Sequence, residues 1–324
     1  MPEREPEARP APALRLERPF PVTARRGRRA AMLSRRRRLF PYLLIAPSVA
    51  LLLALTAFPL FFALKNSFYF WNMQMSPRPL GFIGLRNYGM ALHGPVFLAS
   101  LINTVVLTVG GTTLEVVLGL AIALLLCREL PGMSTARAIL IMPTTIAPIV
   151  VGFLFRYMYQ PDGGIIPWLL SAVDFPVPAR GLLGSQITAL PSIVFADMWQ
   201  WTPFCAIILY AALLGVPHEV IEAAKLDGAG AWSTLWHVRI PLIARTLGFV
   251  VMLRFMQLFN TFDLVLVLTR GGPGSSTSTL SYILYEQGLV DFNIGLSSAM
   301  TWIIVLIVDI FIALFVFFMF RDPE

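Results

Sequence analysis

Charge is what this chain has least of: 13% of its 324 residues are Asp, Glu, Lys or Arg. Soluble domains draw about a quarter of their residues from those four, so a water-driven globule is excluded. Lysine is nearly absent. Lys65 and Lys225 are the only two, and neither follows a Gly-x-x-x-x-Gly pattern, so no phosphate-cradling loop is encoded. Three histidines, His93, His218 and His237, are dispersed without metal-ligand spacing. Two cysteines, Cys127 and Cys205, lie far apart in or beside apolar runs and read as small packing residues, not as a disulfide. No nucleophile–base constellation stands out either. The chain is therefore expected to be no enzyme and to hold no cofactor or metal.

Hydrocarbon is what it has most of. Hydrophobic residues make up 57% of the chain, and the mean hydropathy is +0.73. Several apolar runs reach the roughly 20 residues that a helix needs to cross a bilayer. Lipid offers backbone polar groups no partners, so those runs must be helices. The expected fold class is all-α integral membrane, a six-helix transmembrane bundle with spans at 39–64, 97–127, 138–159, 187–214, 242–269 and 295–320.

The net charge of +7 resides in the N-terminal tail. Residues 1–38 carry 12 arginines against four glutamates, and the remainder holds 13 basic and 14 acidic residues. Rich in Pro, Ala and Arg and nearly free of aromatics, the tail lacks the interleaving expected of a nucleic-acid surface. It reads as a disordered cytoplasmic segment whose arginines lie against anionic headgroups, with Met32 an alternative start. Arg35 to Phe40 loosely resembles a twin-arginine export signal. The following 26 uncharged residues, Leu39 to Leu64, are too long for a signal h-region, so this is a retained first span. With the N-terminus inside, cytoplasmic segments hold 18 basic residues against six outside, although the loops without the tail balance at six each. Residues 39–324 then form one transmembrane domain.

Between the fourth and fifth spans the chain turns polar. Val216-Pro217-His218-Glu219 reads as a turn into a helix, with Glu219 and Glu222 favouring its first turns. Ala223, Ala224 and Gly228 leave one face low, and Lys225 is the only basic side chain from 217 to 236, where a lipid-lying helix would want several. A cytoplasmic helix over 217–236 that inserts its smooth face into a partner protein is the expectation.

The string Glu222-Ala223-Ala224, three residues, Gly228, nine residues, then Val238-x-Ile240-Pro241 resembles the Glu-Ala-Ala loop of inner-membrane permease subunits of binding-protein-dependent ABC importers, whose pattern ends in Ile-x-Leu-Pro. A second string, Phe259-Asn260-Thr261-Phe262-Asp263 with Leu268-Thr269-Arg270-Gly271-Gly272-Pro273, is similar to the end of the fifth core span in carbohydrate importers of the maltose and glycerol-phosphate type, Arg270 standing where a Gly is common. The stretch from Thr279 to Tyr285 adds to the likeness. The resemblance implies the type I importer permease fold and a bacterial or archaeal inner membrane. It further implies a second homologous permease subunit, two ATP-binding subunits docked on the 217–236 helix and an extracytoplasmic solute-binding protein. Glu222, Ala223, Ala224, Asp227, Gly228 and Pro241 would then couple to the ATPase.

Polar groups inside a bilayer are costly and usually have a task. Arg254, Gln257 and Thr261 share one face of the fifth span, with Asn260 beside them. Asp197, Gln200, Trp201 and Phe204 recur in the same way on the fourth. Amides beside aromatic rings suit a sugar, whose hydroxyls need donors and acceptors and whose apolar faces stack on rings. These positions fall where related permeases line the substrate cavity, so half of a translocation pathway for a sugar or sugar-like solute is expected. Two other readings stand beside it: the polar groups tie helices together, or Arg254 and Asp197 form a mutual ion pair. Glu115 and Asp309 are lone intramembrane acids in the second and sixth spans. As a proton relay they would make an autonomous secondary transporter; otherwise they are paired or protonated. Gly119 and Ala123, following Glu115 at four-residue steps, form a small-residue packing face.

Overall fold

A computed structural model of the chain describes residues 25–128 and 131–319. Residues 1–24 of the expected tail lie outside these. The chain divides into two units at Leu60. As far as described, the first unit is helix α1, which spans Arg25–Ser67 and so continues into the second. Helix α1 thus begins inside the segment expected as a disordered tail. Arg, Ala, Met and Leu between 25 and 39 are strong helix formers, and their charge does not prevent a helix. The stretch Leu44–Ser67 is long and apolar enough to cross a membrane.

The second unit opens with the last turns of α1. A short hairpin follows, β1 (Tyr69–Phe70) antiparallel to β2 (Gly81–Phe82), with Tyr69 opposite Phe82. Asn87, on α2 (Arg86–His93), fastens its base by donating to the Ser67 and Tyr69 carbonyls at 2.8 and 2.9 Å. Helix α3 (Pro95–Leu126) has proline in its first turn, where no N–H is needed, and is about 48 Å long at 1.5 Å per residue. One face of α3 is exposed Val105, Val109, Val117 and Leu118; the other is buried Ser100, Thr104, Thr108, Gly111, Glu115, Gly119 and Ala123.

The third span is broken, not continuous. Helix α4 (Met133–Ile141) passes through a tight turn at Met142–Thr145 into α5 (Pro148–Met158), bent by 95°. Pro143 and Pro148 lack the N–H groups a straight helix would use. Gln200 donates to the carbonyl of Ile146 at 2.7 Å, which satisfies part of the break. Helix α6 (Ile165–Ala172) is short and precedes α7 (Ala189–Leu214). The α3–α7 crossing is close: a Cβ built on Gly119 would lie 2.7 Å from the Cys205 Cβ. This is the packing face that small residues permit in lipid.

The expected single helix over 217–236 is two pieces. Helix α8 (His218–Leu226) stops at Asp227 and Gly228, whose φ is +83°. The Gly228 amide donates to the Lys225 carbonyl at 3.0 Å and the Ala229 amide to the Ala224 carbonyl at 2.9 Å, the paired bonds of a Schellman stop. Helix α9 (Ala231–Thr234) then begins, runs through a π turn at Leu235–Arg239 and continues as α10 (Ile240–Phe259). Residues 231–236 therefore belong to the fifth span, Ala231–Phe259. That span also ends earlier than the expected 269. The chain breaks at Asn260, and residues Asp263–Leu268 form α11, whose Leu264, Val265, Val267 and Leu268 are buried. Helix α11 packs on α5, where a Cβ on Gly152 would meet the Val267 Cβ at 3.0 Å. An apolar run cannot by itself distinguish a span from a short buried helix.

Helix α12 (Leu280–Tyr285) and a π turn at Glu286–Val290 lead to α13 (Ile294–Met319). The segment before α12 is tied to α3: Asn103 donates to the carbonyls of Ser275 and Ser278, and Thr104 accepts from the Leu280 amide at 2.9 Å. Five helices among the described residues are long and apolar enough to cross a membrane, six if the bent pair is one span. Apart from the hairpin, the described chain is all-α.

Candidate functional site

Three helices bring a charged cluster together inside the second unit. Glu115 of α3, Asp197 of α7 and Arg254 of α10 are 0%, 6% and 1% exposed. The Arg254 guanidinium donates through Nε and one terminal nitrogen to the two Glu115 oxygens, at 2.5 and 2.9 Å. That same terminal nitrogen reaches Asp197 Oδ2, and the other donates to Gln257 Oε1. Four of its five N–H groups are thereby used. Its cationic carbon also sits 4.9 Å from the centre of the Trp201 ring. Burial of this kind demands complete pairing: removing one partner of such a cluster typically costs about 3–5 kcal/mol.

The cluster forms one wall of a cavity of about 350 Å³, within the size range of small-molecule sites. Six expected pathway residues line it: Asp197, Trp201, Arg254, Gln257, Asn260 and Thr261. Pro148, Phe262, Asp263 and Leu264 complete the lining. Gln200 and Phe204 lie elsewhere. Gln200 is turned to the Ile146 carbonyl, and Phe204 meets Trp201 edge to face at 5.9 Å. The break after Phe259 separates the two helices there, and all four residues from Asn260 to Asp263 line the cavity.

The polar lining offers both signs of hydrogen bond. Asp197 keeps Oδ1 as an acceptor. Gln257 gives its carbonyl to Arg254 and retains its NH2, and Asn260 donates to the Met256 carbonyl at 2.9 Å and retains its oxygen. Trp201, half-buried, contributes a ring face. Such a wall can hold hydroxyl groups and an apolar sugar face together.

Glu115 is not a lone acid, since it belongs to Arg254. The sequence could not show this, because the partners lie 139 residues apart. Asp309 is exposed on α13, away from the cluster. The lining by Asp263 and Phe262 also escaped sequence reasoning, although both stand in the Phe259 to Asp263 string that carried the family resemblance.

On α8, Glu222 is exposed and 3.2 Å from His218 one turn before it. Ala223, Asp227 and Gly228 are exposed, Ala224 is half-buried, and Pro241 is exposed at the start of α10. Leu226, Trp232 and Trp236 are exposed nearby, and the two indoles meet edge to face at 5.7 Å.

Comparison with known proteins adds an independent finding. The family described as "Binding-protein-dependent transport system inner membrane component" matches residues 115–321. The trehalose transport system permease protein SugA of Mycobacterium tuberculosis is 34% identical over 298 residues, covering 91% of this chain and 92% of that protein. The sn-glycerol-3-phosphate transport system permease protein UgpA of Agrobacterium fabrum is 31% identical over 274 residues, covering 84% and 91%. A chain from a bacterial ABC transporter involved in import of the acidic polysaccharide alginate superposes with a TM-score of 0.77 at 17% identity, covering 91% of this chain and 100% of that one. That last likeness is one of fold.

Proposed function

Because the chain belongs to the family of binding-protein-dependent transport system inner membrane components, we propose that it forms half of the translocation pathway of an ATP-driven importer for a sugar or sugar-like solute. As a permease subunit it is not an enzyme; ATP hydrolysis belongs to separate subunits. Its partners are a second homologous permease, two ATP-binding subunits, an external solute-binding protein and membrane lipid, with no nucleic acid. The membrane is a bacterial or archaeal inner membrane, with the N-terminus cytoplasmic.

The observation that carries the solute reading is the cavity. A guanidinium held by two carboxylates fixes one wall, while Gln257, Asn260, Thr261 and Trp201 offer donors, acceptors and a ring. Names of relatives support it only in class: one is a trehalose permease, another a glycerol-phosphate permease.

For coupling, α8 is the docking element, shorter than the 217–236 helix first expected. Its stop at Gly228 and the exposed Leu226, Trp232 and Trp236 supply a compact surface. Closure of the ATPase pair would push α8 and, through α9, the fifth span that carries Arg254 and Gln257. The docking element thus directly precedes the span that carries the polar wall. The rival reading, a secondary transporter with Glu115 and Asp309 as a proton relay, loses ground because Glu115 is clamped by Arg254 and Asp309 lies outside the cluster.

The test is reconstitution with the partner permease, ATPases and binding protein, followed by solute-stimulated ATP hydrolysis and uptake. The double variant Trp201→Ala, Gln257→Ala should retain its ATPases and lose several- to about a hundredfold in apparent affinity, as expected for about 1–3 kcal/mol of lost contacts. Unchanged uptake and stimulation in that variant would make these residues packing groups.

A further inference from the structure

We infer that this cavity selects uncharged polyhydroxyl solutes and rejects anionic ones, phosphorylated or carboxylated sugars included. The inference rests on the pathway reading above and names its substrate class.

The argument is one of charge. An anion-binding wall presents unspent guanidinium or ammonium donors to the solute, in the bidentate manner that phosphates and carboxylates favour. Arg254 is the one cation lining this cavity among the described residues, and four of its five N–H groups are already spent. Both Glu115 oxygens, Asp197 and Gln257 hold it, and at 1% exposure it offers the space almost no open surface. What faces the solute is the other sign. Asp197 lines the cavity with an oxygen left over, and Asp263 lines it with no ion pair among the described residues. Two carboxylates, Asp197 and Asp263, therefore line the cavity against one guanidinium.

A carboxylate or phosphate placed here meets a like charge in a site of reduced dielectric, where repulsion is stronger than in water. A sugar hydroxyl meets an acceptor it can donate to. Asp197 thus serves twice, neutralising Arg254 and accepting from the solute.

The experiment places the permease–ATPase complex in nanodiscs without binding protein, so that the cavity alone is read. Saturation-transfer NMR, which detects weak binding, compares matched probes: trehalose with trehalose 6-phosphate, maltose with a maltose phosphate, and glycerol with glycerol 3-phosphate. At least one neutral probe should bind about tenfold or more tightly than its charged counterpart, equivalent to about 1.4 kcal/mol or more. In Asp197→Asn, which keeps the shape of the wall, the gap should narrow, because one of the two lining carboxylates is then gone. Asp263→Asn lies outside the buried cluster, keeps the fold at issue out of the comparison and should narrow the gap as well. Co-purification of the ATPases certifies each variant as assembled.

A charged probe that binds as well as or better than its neutral partner overturns the inference and leaves the sugar-importer reading standing. So does a gap that neither variant changes. If no member of any pair binds, the sugar cavity itself is wrong and this inference falls with it.

Discussion

Gly228 separates two roles that the sequence pattern merges. Its φ of +83° closes the Schellman stop of α8, and a Cβ there would meet nothing within 4 Å among the described residues. Within the permease, substitution therefore costs backbone strain and no clash. Left-handed geometry costs a non-glycine residue about 1–2 kcal/mol, and Asn the least. Ala and Leu should loosen α8 equally, measured by hydrogen exchange of its amides in the purified permease, with Asn close to wild type. Against a docked ATPase the two part company. Gly228→Ala should weaken ATPase binding about tenfold through the loosened stop, while Gly228→Leu should lose a further factor from overpacking, typically about 1–3 kcal/mol. Co-purification and titration of the ATPase on each variant read this difference directly. If Leu binds the ATPase as tightly as Ala, nothing covers this face and α8 is not the docking element. If Asn is as damaging as Ala in the permease alone, the strain argument fails.

Other outcomes follow from the packing. Gly119→Val should break the α3–α7 contact, because its Cβ would already sit 2.7 Å from the Cys205 Cβ; a thermal-stability assay should show a clear loss, while Gly110→Ala, with nothing within 4 Å, changes little. Glu115→Ala leaves Arg254 with one carboxylate and a cavity, and should cost about 3–5 kcal/mol and deplete the membrane-inserted protein; Glu115→Gln should be milder, and equal expression of all three would deny the cluster a structural role. Deleting residues 1–31 should leave uptake intact, since the membrane-crossing part of α1 starts at Leu44; abolished uptake at normal membrane levels would assign the tail a task.

Much of the architecture was written in the pattern of apolar runs, since lipid leaves a chain little choice but helices. The second and fourth spans, expected at 97–127 and 187–214, are helices Pro95–Leu126 and Ala189–Leu214. Hydropathy failed where one apolar run hides two elements. Residues 259–268 look like the end of a span and are instead a break and a buried turn of helix. Pro143 and Pro148 at the break of the third span, and Gly228 at the stop of α8, are local signals that an average over apolar residues passes through. The polar stripe on the fifth span is legible from three- and four-residue steps, and its residues line one cavity together with Asp197 and Trp201. Gln200 is turned off that wall, since one residue of rotation from Trp201, about 100°, carries it to the Ile146 carbonyl. The Glu115 clamp was hidden because nothing local links α3 to α10.

The central claim is that the solute passes the wall built on Arg254. Asn260 is exposed and lines the cavity, so Asn260→Cys gives a reporter there. The native Cys205 is buried and Cys127 half-buried, which sets a measurable background. Labelling of that cysteine by a small charged thiol reagent is followed in the reconstituted importer during ATP turnover. Transported solute should slow the labelling, and a solute analogue that is not transported should leave the rate unchanged. A labelling rate indifferent to transported solute would contradict the claim and move the pathway elsewhere in the molecule.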